Sequence, residues 1–468
     1  MIALPFLLRR LGELHITDEA RQQVLLREGI LTFADLDLAI AEQRPLVADT
    51  NLRRAADVLA QEIRPVSLGR AWELLDTFIE SLAAHCPMLE AIEPSGPLRR
   101  AEPLVNGLVI VARAADPALA TAAIASLPAV SDVLHRARRR VVVLFEGYEI
   151  DVRVTTPDDY GSLLFTTTGP PSHVGEVLKR RGPRLSASET EVYSNANLPY
   201  LPPETRDAPD ALDRALRHDV PILVRREDIR GDLHMHTTYS DGRDSLRQMV
   251  KATHALGYEY IAITDHSEHA GASRTLTLDQ IDRQRDDIAR RREEVPGMAI
   301  LHGLEVDILP DGTLDCPDAM LERFEIVLAS LHESAGQDGR RLTRRCLNAI
   351  RHPLVSVITH PANQLVGRRP GYDMDYAAIY EAAAETGTAL EIDGAPAHLD
   401  LSGERALEAV RAGATVVIDS DCHRSRSLDR QMRMGVGTAR RGWVEPHHVL
   451  NTRTVADVRA FIARKRAR

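Results

Sequence analysis

The sequence predicts an α/β chain whose C-terminal half is a parallel sheet or barrel, preceded by a mixed α/β stretch and a helical N-terminus. Two observations carry this. From residue 231 onward the strand-like runs "DLHMH", "YIAIT", "ILHGLEVDIL", "IVLASLH", "VSVITH", "ALEID" and "TVVIDSD" alternate with helical stretches and make seven β-α units. Upstream, "EARQQVLLREGI" and "NLRRAADVLAQEI" repeat apolar residues every three or four positions, the period of a helix with one buried face. At 468 residues the chain has room for roughly two to four domains.

Taken in order, residues 1–85 read as helices. The opening "MIALPFLLRRLGEL" has a short apolar run but neither a basic leader nor a small-residue cleavage site, so it reads as the start of a helix rather than a signal peptide. Residues 86–202 mix helices with the strands "LVIVARA", "RVVVLFEG" and "YEIDVRV". Residues 203–230, opening on the proline- and charge-rich end of "LPYLPPETRDAPDAL", read as a linker. The β-α units fill residues 231–468.

Composition narrows the function. Hydrophobic residues make up 44% and charged residues 27%, so ordinary cores are expected. A formal net charge of −10 argues against a generally basic nucleic-acid coat, although carboxylate-rich metal sites would contribute to that acidity. Only Lys179, Lys251 and Lys465 are lysines among the 58 basic residues, so phosphate contacts fall to arginine. Cys86, Cys316, Cys346 and Cys422 are scattered, with no CxxC pair, which fits a reducing cytoplasm and argues against a thiolate zinc site. No stretch is long enough to span a membrane.

The chemistry lies at the strand ends. Parallel β-α folds deliver functional residues at the C-terminal ends of their strands. The first run gives His234 and His236, an i, i+2 pair on one side of a strand. Asp241 follows in the next loop. The second ends at His266, the third holds Glu305, the fourth ends at His332 and the fifth at His360. The seventh gives Asp421 and His423, and the sixth offers no obvious ligand, although Asp393 is near. A lone HxH is weak evidence, but six strand ends bearing His, Asp or Glu on one face indicate a metal centre. Nitrogen and oxygen donors without sulfur suit manganese, zinc or iron. Nine donors would supply a cluster of two or three ions. Other histidines take ordinary readings: His302 faces the other side of its strand, His269 lies in a loop, His254 on a helix surface, and His447 and His448 in a polar loop.

These motifs, the HxH with its "SDG" turn, "TDH", "GLEVD", "SLH", "THP" and "SDCH", resemble the PHP domain, the polymerase and histidinol phosphatase family, over roughly residues 231–465. The resemblance implies a distorted seven-stranded barrel and fills all nine ligand positions: His234, His236, Asp241, His266, Glu305, His332, His360, Asp421 and His423. It assigns the catalytic role to His234, His236, Asp241, Glu305, Asp421 and His423. Within the family, "LVGRRPGYDMD", "ALEIDGAPAHLDLSG" and "MGVGTARRGWVEPHHVLNT" resemble the PHP domain fused to bacterial X-family DNA polymerases, which act as manganese-dependent 3′-5′ exonucleases and phosphoesterases. "SGPLRRAEPLVNGLVIVA" is similar to their palm motif, "YEIDVRV" to its third aspartate strand and "LLFTTTGPPSHVGEVLKRRG" to its nucleotide-binding segment.

The departures imply as much as the matches. Gly107 and Val109 stand at the positions of the first two palm aspartates, only Asp151 remains, and Pro97 replaces the motif serine. Nucleotidyl transfer needs paired carboxylates for two magnesium ions, so a catalytically dead palm is expected. In the N-terminal region, "HITDEA" and "VADTNL" replace the glycine hairpins of a helix-hairpin-helix module, and the absence of lysine before Lys179 rules out a Schiff-base lyase there. Ala395 and His398 replace two polar residues of the family's substrate edge.

The expected activity is metal-assisted phosphoester hydrolysis on a DNA 3′ end or a nucleotide, linked to DNA repair in the cytoplasm. Manganese is the first choice of ion, with zinc or iron as alternatives. The expected grouping places His234, His236, Glu305 and Asp421 on one ion, Glu305, His332 and His360 on a second, and Asp241, His266 and His423 on a third, with a bridging hydroxide as nucleophile. Arg368 and Arg369 could fork onto phosphate oxygens. The alternatives are a small-molecule phosphomonoesterase of the histidinol-phosphatase type and a non-catalytic DNA-repair scaffold; the filled ligand set argues against the scaffold.

Overall fold

In the computed structural model of the protein the described residues are 4–48, 52, 65–182, 184–268, 270 and 274–468, and the chain forms two compact units, Met1–Val220 and Pro221–Arg468. Most of "NLRRAADVLAQEI", much of "VADTNL", and His269 lie outside the described residues.

The first unit opens with helices Phe6–Glu13, Glu19–Arg27 and Phe33–Ala41. Their starts follow local chemistry. The Asp18 carboxylate accepts from the backbone N–H of Arg21, and Thr32 and Asp35 form a capping box. "HITDEA", expected to lack a glycine hairpin, thus ends in a helix cap. A five-stranded sheet follows, with β1 Ala91–Ser95, β2 Leu108–Arg113, β3 Asp132–Ala137, β4 Arg140–Phe145 and β5 Tyr148–Thr155 in the order β1-β2-β5-β4-β3. The helix Leu68–His85 buries Leu74, Leu75, Phe78 and Leu82, and Phe78 meets Phe145 of β4 edge-on at 5.1 Å.

Residues 203–230 are less open than their composition suggests. They include a 3-10 turn at Pro203–Thr205 and a helix at Ala211–Leu216. The Arg206 guanidinium is fully buried, pairs with Glu189 at 2.6 Å and lies over Phe165, Tyr193 and Tyr200. That pair of charges, separated by 17 residues, has no signature in local composition.

The second unit is the parallel barrel. Its strands are β6 Gly231–Asp232, β7 Tyr260–Ile263, β8 Ala299–Asp307, β9 Ile326–Ser330, β10 Val357–Ile358, β11 Ala389–Asp393 and β12 Val416–Asp419, arranged in chain order. A parallel bridge between Met235 and Cys422 joins the ends of the first and last strands and nearly closes the ring.

The first strand is shorter than "DLHMH" suggested. Regular pairing stops at Asp232, because side chains take over the hydrogen bonds of the ladder. The Asp419 carboxylate accepts from Leu233 N at 2.7 Å, the Asp232 carboxylate from Ser420 N at 3.1 Å, and Thr264 Oγ1 from Met235 N at 3.0 Å.

Alternation along the strands divides the apolar residues. Ile263, Leu304, Val327, Ile358, Leu390 and Ile418 face the surrounding helices. Leu233, Ala262, Leu301, Leu328, Val357, Ala389 and Val417 form a separate inner cluster with Val458, Phe461 and Ile462 of the C-terminal helix Val455–Arg466. The inner cluster uses the N-terminal parts of the strands. This leaves the other end of the barrel for polar residues.

Candidate metal centre

At that other end, Glu305 is the hub. It sits on β8 and is 1% exposed. Its Oε1 lies 3.3 Å from His360 Nε2 and 3.5 Å from His332 Nε2. Its Oε2 lies 2.9 Å from His266 Nδ1, 3.4 Å from His234 Nε2 and 3.5 Å from His236 Nε2. His234 and His236 meet at Nε2 with 3.1 Å between them, and Asp421 Oδ1 is 3.1 Å from His236 Nε2. Asp241 Oδ1 is 3.2 Å from His423 Nε2 and 3.6 Å from His266 Nε2. The His236 ring stacks between His266 and His423, with centroids 4.3 and 4.4 Å away. All nine residues singled out in the sequence therefore converge.

Their grouping is not the expected partition. Donor atoms of His236, Asp241, His266 and His423 lie within 4.8 Å of one another, as do those of His234, His236 and Asp421, and those of His266, Glu305 and His332. His236 and His266 are each shared between two groups.

The loop carrying Asp241 is set by a residue that is not itself in the cluster. Asp265, fully buried, accepts from Thr237 N, Thr237 Oγ1, Ser240 N, Ser240 Oγ and Gln284 Nε2. Gln284 Oε1 in turn accepts from His302 Nε2 at 3.0 Å, so His302 packs in the barrel wall, as its strand parity predicted. Gly242 completes the turn, since a Cβ there would lie 2.6 Å from the backbone of His236 and Thr237. His360 and Asp421 hold left-handed backbone conformations, φ 27° and 46°. Such strain, about 1 kcal/mol or more each, persists where surrounding structure over-determines the geometry.

The electrostatics fit cations. Buried His236 Nδ1, Asp241 Oδ1, His266 Nδ1, Glu305 Oε2 and His360 Nδ1 have no partner aligned for a hydrogen bond, although other donors of the cluster lie close by. Unpartnered buried polar atoms are costly, so their accumulation at one point calls for a ligand. Among the described residues, no lysine or arginine forms an ion pair with Glu305, Glu391, Asp393 or Asp421. Burial would raise the Glu305 carboxyl, but the His266 and His234 imidazoles hold it well below the carboxylate range. Burial together with the imidazoles of His266 and His423 pushes His236 down to about 3. Burial opposes the charged form of His332, yet its bond to Asp307 and the Glu305 charge raise it to about 9. Oxygen and nitrogen donors of this kind suit manganese, zinc or iron.

Two supporting acids escaped the sequence reading. Glu391 on β11 lies 2.7 Å from His234 Nδ1 through one oxygen and accepts from His360 N through the other. Asp307 lies 2.5 Å from His332 Nδ1. Both were legible as i, i+2 neighbours of inward positions, Glu391 beside Asp393 and Asp307 beside Glu305. The sixth strand is thus not idle. Carboxylates that orient ligand imidazoles typically change metal affinity about 10- to 100-fold. Glu391→Ala is expected to weaken metal retention about tenfold or more, read as metal content after dialysis against graded chelator. Retention equal to wild type would show that the contact is dispensable.

Arg368 and Arg369, in the loop after β10, are exposed. Arg369 donates to the Asn363 carbonyl and side-chain oxygen, both at 2.9 Å, and lies 5.9 Å over Tyr372. His254 is exposed on its helix. His447 and His448 form a separate group with Glu445 on a 3-10 turn.

In the first unit, Asp151 on β5 pairs in register with Val109 on β2. The adjacent strand position, where a second carboxylate would be needed, is therefore apolar. Asp151 is bidentate to Arg140, with Nε–Oδ1 and Nη2–Oδ2 both 2.8 Å, and bonds Arg153 Nε at 2.9 Å. Both arginines also bind Asp35 at 2.7 Å.

A parallel barrel with such a donor cluster at its strand ends defines a metal-dependent phosphoesterase, and the model of the PHP domain family matches residues 232–387. The chain belongs to the X-family DNA polymerases that carry a PHP domain. The DNA polymerase/3′-5′ exonuclease PolX of Bacillus subtilis (strain 168) is 37% identical over 391 residues, which cover 79% of this chain and 68% of that protein. A probable phosphatase of Thermoanaerobacter sp. (strain X514) is 27% identical over 247 residues, 50% of this chain and 95% of that protein. A solved histidinol phosphate phosphatase from Lactococcus lactis overlaps 46% of this chain and 95% of its own, with 18% identity and a TM-score of 0.34. No helix among the described residues is long and apolar enough to cross a membrane.

Proposed function

We propose that the barrel hydrolyses phosphodiesters at a DNA 3′ end or in a nucleotide, and that the palm no longer polymerises. The observation that carries the first part is the convergence of nine nitrogen and oxygen donors on Glu305, with buried atoms left unpartnered. His234, His236, Asp241, His266, Glu305, His332, His360, Asp421 and His423 would hold two to three divalent ions, manganese first, with zinc or iron compatible. Ions bound there supply Lewis acidity to a phosphoryl oxygen and acidify water.

The chain's own residues do the rest. Glu305 offers both oxygens to the cluster, Glu391 fixes the tautomer of His234, and Asp307 fixes that of His332. Asp265 holds the loop that aims Asp241. Arg368 is exposed, and with Arg369 it would meet phosphate oxygens of the substrate. The palm reading rests on Asp151, clamped by Arg140 and Arg153 and facing Val109. A cytoplasmic role in DNA repair is part of this proposal.

Metal analysis checks the centre. Purified under metal-replete conditions, the protein is expected to carry about two to three transition-metal ions per chain. Less than about one ion per chain would sink the cluster.

One incubation with manganese tests the substrate, with labelled single-stranded DNA beside a panel of phosphomonoesters. Nucleotides released stepwise from the 3′ end support the proposal. Turnover of phosphomonoesters alone supports the phosphatase reading favoured by the half-length relatives.

A further inference from the structure

We propose a further divalent-cation site at the edge of this centre, built from Asp393, His398 and Asp421. A nitrogen of His398 and one carboxylate oxygen from each aspartate lie within 4.8 Å of one another. Asp421 is shared with the principal centre, but Asp393 and His398 are outside the nine-residue set.

His398 is held for this task. Its Nδ1 lies 3.0 Å from the Gln364 carbonyl, and a carbonyl only accepts, so Nδ1 carries the hydrogen of the neutral ring. The lone pair is then on Nε2. Gln364 Nε2 returns two hydrogen bonds, to the His398 and Leu399 carbonyls, at 2.8 and 2.7 Å. The ring stacks on His360 at 5.2 Å and 20°. It is fixed from two sides.

Asp393 supplies the second observation. It is fully buried, its Oδ1 accepts from Ala395 N, and its Oδ2 has no hydrogen-bond partner. A carboxylate oxygen of Asp421 lies within 4.8 Å of it, and no lysine or arginine forms an ion pair with it among the described residues. A buried carboxylate among carboxylates is stable only when protonated or when a cation sits between them. The imidazole lone pair beside the two carboxylates favours the cation, since two oxygens and one nitrogen are a common donor set for first-row divalent ions. Three protein donors and a half-buried histidine leave coordination positions open, so the ion there exchanges with solution faster than those around Glu305.

The inference rests on the metal-centre reading only through the shared Asp421. The full-length protein is dialysed to equilibrium against a fixed concentration of free manganese and its bound metal is measured beside His398→Ala, His398→Gln, Asp393→Asn and His236→Ala. The His398 and Asp393 variants are expected to hold about one ion fewer than wild type, with the remainder retained. The low-affinity phase of a manganese titration followed by electron paramagnetic resonance should vanish in them. His236→Ala should lose ions from the principal centre and keep that phase.

Equal metal content in wild type, His398→Ala and Asp393→Asn overturns the site. Loss in Asp393→Asn alone removes His398 as a donor and overturns it equally. Wild-type protein that binds no metal at all overturns the principal centre together with this site. His398→Gln, with circular dichroism, guards against a folding defect in the alanine variant.

Discussion

Alanine at His236 or at Asp421 is expected to reduce phosphoester hydrolysis about a hundredfold or more while the barrel stays folded. His236 is a donor shared by two groups and lies between His266 and His423, so its loss disturbs more than one ion position. Neither side chain belongs to the apolar clusters that hold the barrel together. Each lies at the polar rim of the barrel, so removal leaves the apolar core intact. The assay uses manganese with single-stranded DNA and a generic phosphodiester, with circular dichroism as the folding control. Asp151→Asn should retain hydrolysis, because that carboxylate lies in the other compact unit. Hydrolysis that vanishes in Asp151→Asn and survives in His236→Ala would move the activity to the first unit.

Primer extension is expected to be undetectable with any nucleotide, in magnesium or manganese. Gly107 and Val109 offer no side-chain oxygen, and Asp151 spends both of its oxygens on Arg140 and Arg153. Restoring aspartate at positions 107 and 109 is not expected to restore extension while that clamp remains. The clamp has a structural role instead. Arg140→Ala would leave buried Asp151 and the largely covered Asp35 carboxylate with half their counter-charge, at a cost of about 3 kcal/mol, seen as earlier unfolding of the first unit. Burial alone would raise the Asp35 carboxyl, but Arg153 and Arg140 hold it well below its ordinary range. Its stabilisation is therefore complete above about pH 4, where the unfolded carboxyl is also ionised, and is lost only as pH falls towards the folded value. Template-directed extension by the wild-type chain overturns the inactive palm, and extension that survives Asp151→Asn would show that the motif lies elsewhere.

The barrel and its ligands were legible because parallel strands bring residues far apart in sequence to one rim, and each rim position carries a recognisable donor. Glu305 could be named from "GLEVD" alone. Its role as the hub could not, since that depends on distances to five histidines from four strand ends. Glu391 was missed because it acts through His234, although its i, i+2 spacing from Asp393 marks it as facing inward. The early end of β6 was missed for a related reason: Asp232 and Asp419, 187 residues apart, replace ladder bonds with side chains. In the first unit the loss of two palm aspartates was visible in the alignment. The arginine clamp on the third was not, because Asp35 meets Arg140 and Arg153 across 105 and 118 residues.

The Val458, Phe461 and Ile462 side chains that fill the barrel beneath the metal centre have a consequence for turnover. They close the barrel at the end away from the metal centre, so a ligand of that centre would enter and leave across the rim where the strands end. Under the proposed hydrolysis, departing product and incoming substrate would contend for that rim.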